Sequence, residues 1–162
     1  MKDLYILRHA KSSWSNLQLS DLQRPLNGRG RHDSPLIGQV LAEIAPSIDE
    51  LIISPSERTK ETSINIKKYV NFLSERVIDR LYHASTNDIS DVVSMIEDSS
   101  NSVLLVGHNP GLTFFHNEYA TKEIDNLPTC GLYRIRIDAN NWSDMDTTNS
   151  KVDYYRYPKM FY

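Results

Sequence analysis

The sequence predicts an α/β domain built on a mostly parallel sheet, with strands and helices alternating along the chain. Three observations lead there. Short apolar runs recur with no polar residue inside them, as in strands buried on both faces. Stretches of helical apolar spacing separate those runs. No Pro/Gly/Ser linker, internal repeat or low-complexity segment divides the 162 residues, so residues 1–162 read as a single domain.

The elements follow in order. Leu4-Tyr5-Ile6-Leu7 is the first strand, and residues 9–25 are polar and irregular. Asn27 caps a helix reaching about Ile44, with Leu36, Ile37, Val40, Leu41 and Ile44 at helical spacing. Pro35 falls inside it and opposes its first turns. Residues 50–53 form a second strand, and Ser56 caps a helix extending to Tyr69. Arg76-Val77-Ile78 is a third strand. Asp88 caps a helix carrying Ile89, Val92, Val93 and Ile96. Residues 102–106 form a buried strand, followed by Gly107-His108-Asn109-Pro110-Gly111 and a further helix. Residues 132–137 alternate as a half-exposed strand, and residues 152–157 form the last one.

Composition bounds the function. Hydrophobic residues at 40% and charged residues at 24% are globular values. Lysine and arginine number 18 against 21 aspartates and glutamates, a net charge of -3. This mild acidic balance argues against a nucleic-acid or membrane-surface partner, while leaving room for a small basic pocket. Cys130 is the only cysteine, so neither an intrachain disulfide nor a thiolate metal cluster can form. The apolar run near Met1 is too short for a signal peptide, and no run approaches the ~20 residues of a membrane span. A cytoplasmic location is the expectation.

In parallel sheets, function gathers at the carboxyl ends of the strands. The first strand delivers Arg8-His9, the second Ser54-Pro55-Ser56-Glu57-Arg58, and the strand at 102–106 delivers Gly107-His108-Asn109. Two arginines and two histidines would meet at one edge, a set suited to a phosphoryl group. Arginine's donor fork fits phosphate oxygens and stabilises their charge in the transition state. A neutral histidine, hydrogen-bonded through one ring nitrogen, can attack phosphorus with the other and carry the group covalently. Cationic side chains would stand in for a metal, so no metal or other cofactor is expected.

These residues fall in a known pattern. Leu7-Arg8-His9-Ala10 resembles the Arg-His-Gly signature of the histidine phosphatase superfamily, with Ala10 in the glycine place. The run from Ser54 to Thr62 resembles its second motif, and Val106-Gly107-His108-Asn109-Pro110-Gly111-Leu112 its third. The run from Asp21 to Gly30 resembles the connecting motif. Within the superfamily the chain is similar to the small phosphohistidine phosphatase branch typified by SixA. The resemblance implies a three-layer α/β/α phosphoglycerate mutase-like fold with no cap domain. It implies His9 as nucleophile, with Arg8, Arg58 and His108 as the phosphate pocket. Ser15 stands where mutases place a phosphate-contacting asparagine, so that contact is altered or lost, with Ser15 kept as a candidate substrate-binding residue.

One departure bears on the substrate. Mutase-like members carry a glutamate acid shortly after the third strand, and here Leu81-Tyr82-His83-Ala84-Ser85 holds no carboxylate. An alkoxide leaving group needs a proton donor, whereas the imidazole of a protonated phosphoramidate needs less help. The resemblance thus implies a metal-independent phosphohistidine phosphatase acting on a phosphorylated protein, with His83 or Tyr82 as candidate acid. Two alternatives stand beside it: a phosphatase or mutase of small phosphate esters, and a non-catalytic phosphate-binding module. His9 must be neutral to attack; its reference pKa of ~6.5, lowered further by the nearby arginines, leads to the expectation that activity falls in mild acid.

Plainer readings apply elsewhere. His32 and His116 read as solvent-facing or capping residues, and Asp21 with Arg24 as a local ion pair pinning the loop. Lys11 either guides an anionic substrate or is merely solvated, and Trp14 either lines the pocket or packs. Cys130 and Arg136 fit the Cys-x5-Arg spacing of cysteine phosphatases, but Leu132, Tyr133 and Ile135 between them read as strand. Asp144-Met145-Asp146-Thr147-Thr148 matches an Asp-x-Asp-x-Thr phosphatase motif, yet a polar turn precedes it. Gly28-Arg29-Gly30 lacks the strand and third glycine of a dinucleotide site.

Overall fold

The computed structural model describes all 162 residues, Met1–Tyr162. Six strands form one sheet in the order β3-β2-β4-β1-β5-β6. The strands are β1 (Lys2–Arg8), β2 (Ser47–Ile53), β3 (Asn71–Val77), β4 (Ser102–Gly107), β5 (Leu132–Ile137) and β6 (Ser150–Arg156). Four helices punctuate them: α1 (Gly28–Ile44), α2 (Glu57–Ile66), α3 (Thr86–Ser94) and α4 (Gly111–Tyr119). The pairs β1–β4, β2–β4 and β2–β3 are parallel, and β1–β5 and β5–β6 are antiparallel.

Side-chain alternation along the strands makes the three layers. Leu4 and Ile6 of β1, with Val103 and Leu105 of β4, point into a core shared with Ile89 and Val92 of α3 and Leu112 and Phe115 of α4. Tyr5, Leu7, Leu104 and Val106 point the other way, onto Ile37 and Leu41 of α1 and Ile66 of α2. Both faces of the central strands are buried, which is why they read as unbroken apolar runs.

Helix starts follow the capping chemistry. Asn27 accepts from the Gly30 amide at 2.9 Å, and Ser56 from the Thr59 amide at 3.3 Å. Pro35 sits within α1 without ending it; the helix forgoes one backbone bond there and keeps its buried apolar face. For α3 the expected cap needs correction. Ser85 is the N-cap, and Asp88 is the reciprocal partner that accepts from the Ser85 amide at 2.9 Å. Asp88 is thus the second half of a capping box, one turn in.

Boundaries shift where burial is weak. The strand expected at Arg76-Val77-Ile78 runs instead over Asn71–Val77. It is an edge strand, mostly exposed and rich in polar residues, so it carries no apolar-run signal. The second helix ends at Ile66 rather than Tyr69, and the last strand begins at Ser150. Strand β5, expected to be half-exposed, is largely buried between β1 and β6. Its two arginines lie along the sheet against carboxylates, Arg134 on Asp153 at 2.7 Å and Arg136 on Asp3 at 3.0 Å.

Two glycines permit close backbone approach beside the strand ends. A Cβ on Gly30 would lie 2.2 Å from the Lys11 carbonyl oxygen, and one on Gly111 would lie 2.1 Å from that of Ala84. Gly111 thereby lets the start of α4 press on the 82–85 loop. Gly111→Ala is expected to destabilise the protein by about 1–3 kcal/mol, because backbone must move to admit the methyl group. Urea unfolding of the variant checks this; an unchanged midpoint would mean the two segments separate freely. No helix is long and apolar enough to cross a membrane.

Candidate active site

The adjacent strands β2, β4 and β1 bring their carboxyl ends to one crevice. Backbone bonds carry the ladders past the strand ends: the His9 amide donates to Gly107 at 3.1 Å and the Ser54 amide to Val106 at 3.1 Å. The loop after β1 is tied to α2, where Thr62 Oγ1 accepts from the Ala10 amide at 3.0 Å. His9, His108 and Arg58 therefore meet although they are far apart in sequence.

The His9 and His108 ring centroids are 5.2 Å apart. His9 is 7% exposed and His108 6%. His9 Nδ1 lies 2.7 Å from the Ala10 carbonyl oxygen. A carbonyl can only accept, so Nδ1 carries the proton and Nε2 keeps its lone pair. His108 Nε2 is 2.6 Å from Ser54 Oγ, and its Nδ1 is 3.5 Å from an Arg58 nitrogen. Burial, reinforced by Arg58 and Arg8, lowers the pKa of His9 to about 3. Burial, His9 and Arg58 lower that of His108 to about 3. Both rings are neutral at physiological pH.

Arg58 is 4% exposed. Its Nη atoms donate to the Asp21 backbone carbonyl at 2.7 Å and the Asp21 carboxylate at 3.0 Å. Arg8 donates through Nη1 to the Leu127 carbonyl at 2.8 Å. In both arginines Nε is buried and has no hydrogen-bond partner, and no other buried side-chain nitrogen or oxygen is left so. Buried polar groups are almost always satisfied. Two cationic side chains with unspent N–H donors, close to two neutral histidines, make a donor set suited to an oxyanion.

Asp21 does more than the local loop pinning read from sequence. It pairs with Arg24 at 3.2 Å, and its other oxygen takes Arg58 and the Tyr82 hydroxyl. The hydrogen bonds from Tyr82, Arg58 and Arg24 outweigh burial and hold its carboxyl well below the usual carboxylate range. Asp21 lies 37 residues from Arg58 in sequence, and no local pattern signals that pairing. Trp14 stacks on Arg24, with the guanidinium carbon 3.5 Å from the ring centroid, and is otherwise exposed.

Both candidate acids reach the mouth of the pocket. The Tyr82 ring centroid is 5.5 Å from that of His108, and the His83 centroid 6.4 Å. Burial and the Asp21 carboxylate raise the Tyr82 pKa, so the phenol keeps its proton. His83 is exposed, with a left-handed φ of 54°. Ser15 does not join the set. It is exposed, and its hydroxyl pairs with Ser13 Oγ at 2.8 Å; Ser12, nearer the strand, is buried and accepts from Arg24 at 2.8 Å.

His116, expected toward solvent, is 3% exposed and packs edge-on to Tyr133 with centroids 4.9 Å apart. It faces inward from α4 toward β5. His32 is exposed, 3.0 Å from Asp33. Cys130 is fully buried, its thiol pKa pushed well up by burial, and Arg136 is bound to Asp3. Asp146 organises a turn, accepting from the Thr148 amide at 2.7 Å. Gly28 and Gly30 lie in the first turn of α1, which follows a loop rather than a strand.

The depressed histidine pKa values fix two pH responses. The fall in activity expected in mild acid moves down: protonation of His9 sets in near pH 3, so kcat/KM should stay level from neutrality to about pH 4–5. A pH–rate profile breaking near 6.5 would contradict this. Stability moves differently. Unfolded histidines titrate at ~6.5, so between that pH and about 3 the unfolded chain binds more protons than the folded one. Stability is therefore full above the unfolded pKa and falls as the pH drops. Two protons set a limiting slope of about 2.7 kcal/mol per pH unit. Urea midpoints measured at several pH values check the sign.

The histidine phosphatase superfamily (branch 1) matches residues 4–91, more than half of the chain. An uncharacterized protein of Mycobacterium tuberculosis is 25% identical over 150 residues, covering 86% of this chain and 92% of its own. Among solved structures, a SixA protein from Nakamurella multipartitia superposes with a TM-score of 0.84 at 20% identity, over 97% of this chain and 96% of its own. The protein histidine phosphatase SixA in complex with tungstate superposes at 0.82 with 19% identity, over 99% of each chain. The fold is thus that of SixA and the phosphoglycerate mutase-like proteins.

Proposed function

The chain belongs to the histidine phosphatase superfamily and is a phosphatase, and we propose that it hydrolyses phosphohistidine through a covalent phospho-His9 intermediate. One observation carries the site assignment: the unpartnered buried Nε donors of Arg8 and Arg58. They supply N–H groups and positive charge to the phosphoryl oxygens, and charge stabilisation of this kind dominates phosphoryl transfer. SixA's complex with tungstate, a phosphate-like oxyanion, supports the same use of the pocket.

The steps follow from the protonation states. His9 Nε2 attacks phosphorus while the bond to the leaving atom breaks and the leaving group keeps or gains a proton. The phosphoryl group on Nε2 is held by Arg8 and Arg58, with the His108 ring beside it. Water then attacks phosphorus, the bond to Nε2 breaks, and phosphate departs as the water proton passes to solvent. Neutral His9 re-forms with its Nδ1 proton on the Ala10 carbonyl.

Acid chemistry favours phosphohistidine over esters. Asp21 is the carboxylate at the pocket, and its partners keep it ionised, so it accepts hydrogen bonds and donates none. The remaining donors are Tyr82, a high-pKa phenol whose hydroxyl already donates to Asp21, and His83, an exposed imidazole. A departing imidazole, basic near neutrality, leaves well with such help, whereas an alkoxide does not. The test compares a phosphohistidine-bearing phosphotransfer domain with a sugar phosphate, in the presence of a chelator. Preferential release from the phosphohistidine, insensitive to chelator, is expected. Faster release from the sugar phosphate would favour an esterase.

A further inference from the structure

We infer that the groove between α4 and the loop before α3 seats the segment carrying the phosphohistidine, and that it selects a segment with a basic residue beside an apolar one. This rests on the phosphohistidine reading above. The groove holds about 740 Å³ and is lined by His83, Ser85, Pro110, Phe114, Glu118 and Glu123, among others. It lies beside the histidine pair, because His83, which lines it, has its ring centroid 6.4 Å from that of His108.

In-line displacement fixes which side the leaving group occupies. His9 attacks phosphorus from one side, so the leaving atom departs on the opposite side, toward a proton donor. The candidate donors Tyr82 and His83 pack together, tilted, with ring centroids 4.0 Å apart, and His83 lines this groove. The rest of the substrate therefore continues into it.

The groove's chemistry defines that substrate. Phe114 is 58% exposed on α4 although its helix neighbours Leu112 and Phe115 are buried. It offers an aromatic platform for an apolar side chain. Glu118, one turn further on, and Glu123 on the following loop are exposed. Neither has a cationic side chain within ion-pair distance, unlike Asp21 and Asp88. Asn117 holds the loop in place: its amide donates to the Ile124 carbonyl at 2.9 Å and accepts from the Ile124 amide at 3.0 Å. The facing wall is fixed by the tight Gly111–Ala84 approach. Two carboxylates on a fixed rim attract a lysine or arginine and repel an acidic flank.

The test uses two phosphohistidine peptides, alike except that lysines flanking the phosphohistidine in one are glutamates in the other. Wild-type protein should favour the lysine peptide in kcat/KM by about fivefold or more at low salt. Glu118→Gln/Glu123→Gln should bring the ratio close to one, and Phe114→Ser should raise KM for both peptides. Binding of the unphosphorylated, fluorescently labelled peptides is measured by anisotropy and reads the groove independently of turnover. The lysine peptide should bind more tightly, and the double variant should lose the difference. Equal affinities in the wild type, absence of saturable binding, or a preference surviving in the double variant would overturn the groove assignment. Failure to hydrolyse either peptide while the lysine preference in binding persists would overturn the phosphohistidine reading and leave the groove standing.

Discussion

His9→Ala is expected to lower the turnover of every phosphorylated substrate by at least about 10⁴-fold while leaving the fold intact. The reason is the geometry of one ring. Nδ1 is committed to the Ala10 carbonyl at 2.7 Å, so Nε2 alone carries a lone pair, and burial keeps it unprotonated with a pKa of about 3. His108 cannot replace it without surrendering its contacts to Ser54 and Arg58. Removing the ring also removes a buried neutral imidazole, so His9→Ala should lose less stability in acid than the wild type. Circular dichroism shows whether the variant folds, and a discontinuous phosphate assay reads the loss. Activity within about tenfold of wild type would move the nucleophile elsewhere.

Arg58→Lys should reduce kcat/KM by about 10²–10³-fold even though the charge is kept. Arg58 spends two nitrogens on Asp21, at 2.7 and 3.0 Å, and still has Nε in reserve. A lysine ammonium cannot hold both Asp21 oxygens and a phosphoryl oxygen from one point. Asp21→Asn should act in the same direction by loosening Arg58, and it should also let the Tyr82 pKa fall toward its ordinary value, since the Asp21 carboxylate helps to raise it. Steady-state kinetics with p-nitrophenyl phosphate and ultraviolet titration of Tyr82 check the two effects. A lysine variant as active as the wild type would show that charge alone suffices.

Much of this was legible in the amino-acid order because burial writes clear patterns. The strands β1 and β4 are covered on both faces and read as unbroken apolar runs, and the residues following them meet at one sheet edge. Asn27 and Ser56 announced their helices through cap chemistry. Asp88 was misplaced by one turn because each member of a capping box resembles a cap. The edge strand β3 was found only at its end, since exposure leaves no apolar signature. Within the site, Arg8, His9, Arg58 and His108 were each visible next to a strand end. Asp21 as the partner of Arg58 was not, because it depends on where a long loop folds back. Ser15 holds a motif position on an irregular loop whose path the motif does not fix, and its hydroxyl is bonded to Ser13. His116 was misread because a histidine on an amphipathic helix can face either way, and the aromatic rings that enclose it come from β5 and β6.

The most direct measurement is capture of the intermediate. The protein would be mixed rapidly with a phosphohistidine-bearing domain, quenched at alkaline pH, where phosphohistidine survives, and its peptides analysed by mass spectrometry. The account predicts one acid-labile phosphoryl group on His9, formed within the first turnover and absent from His9→Ala. Phosphate release in the burst phase with no phosphorylated His9, or with the group on His108, would contradict it.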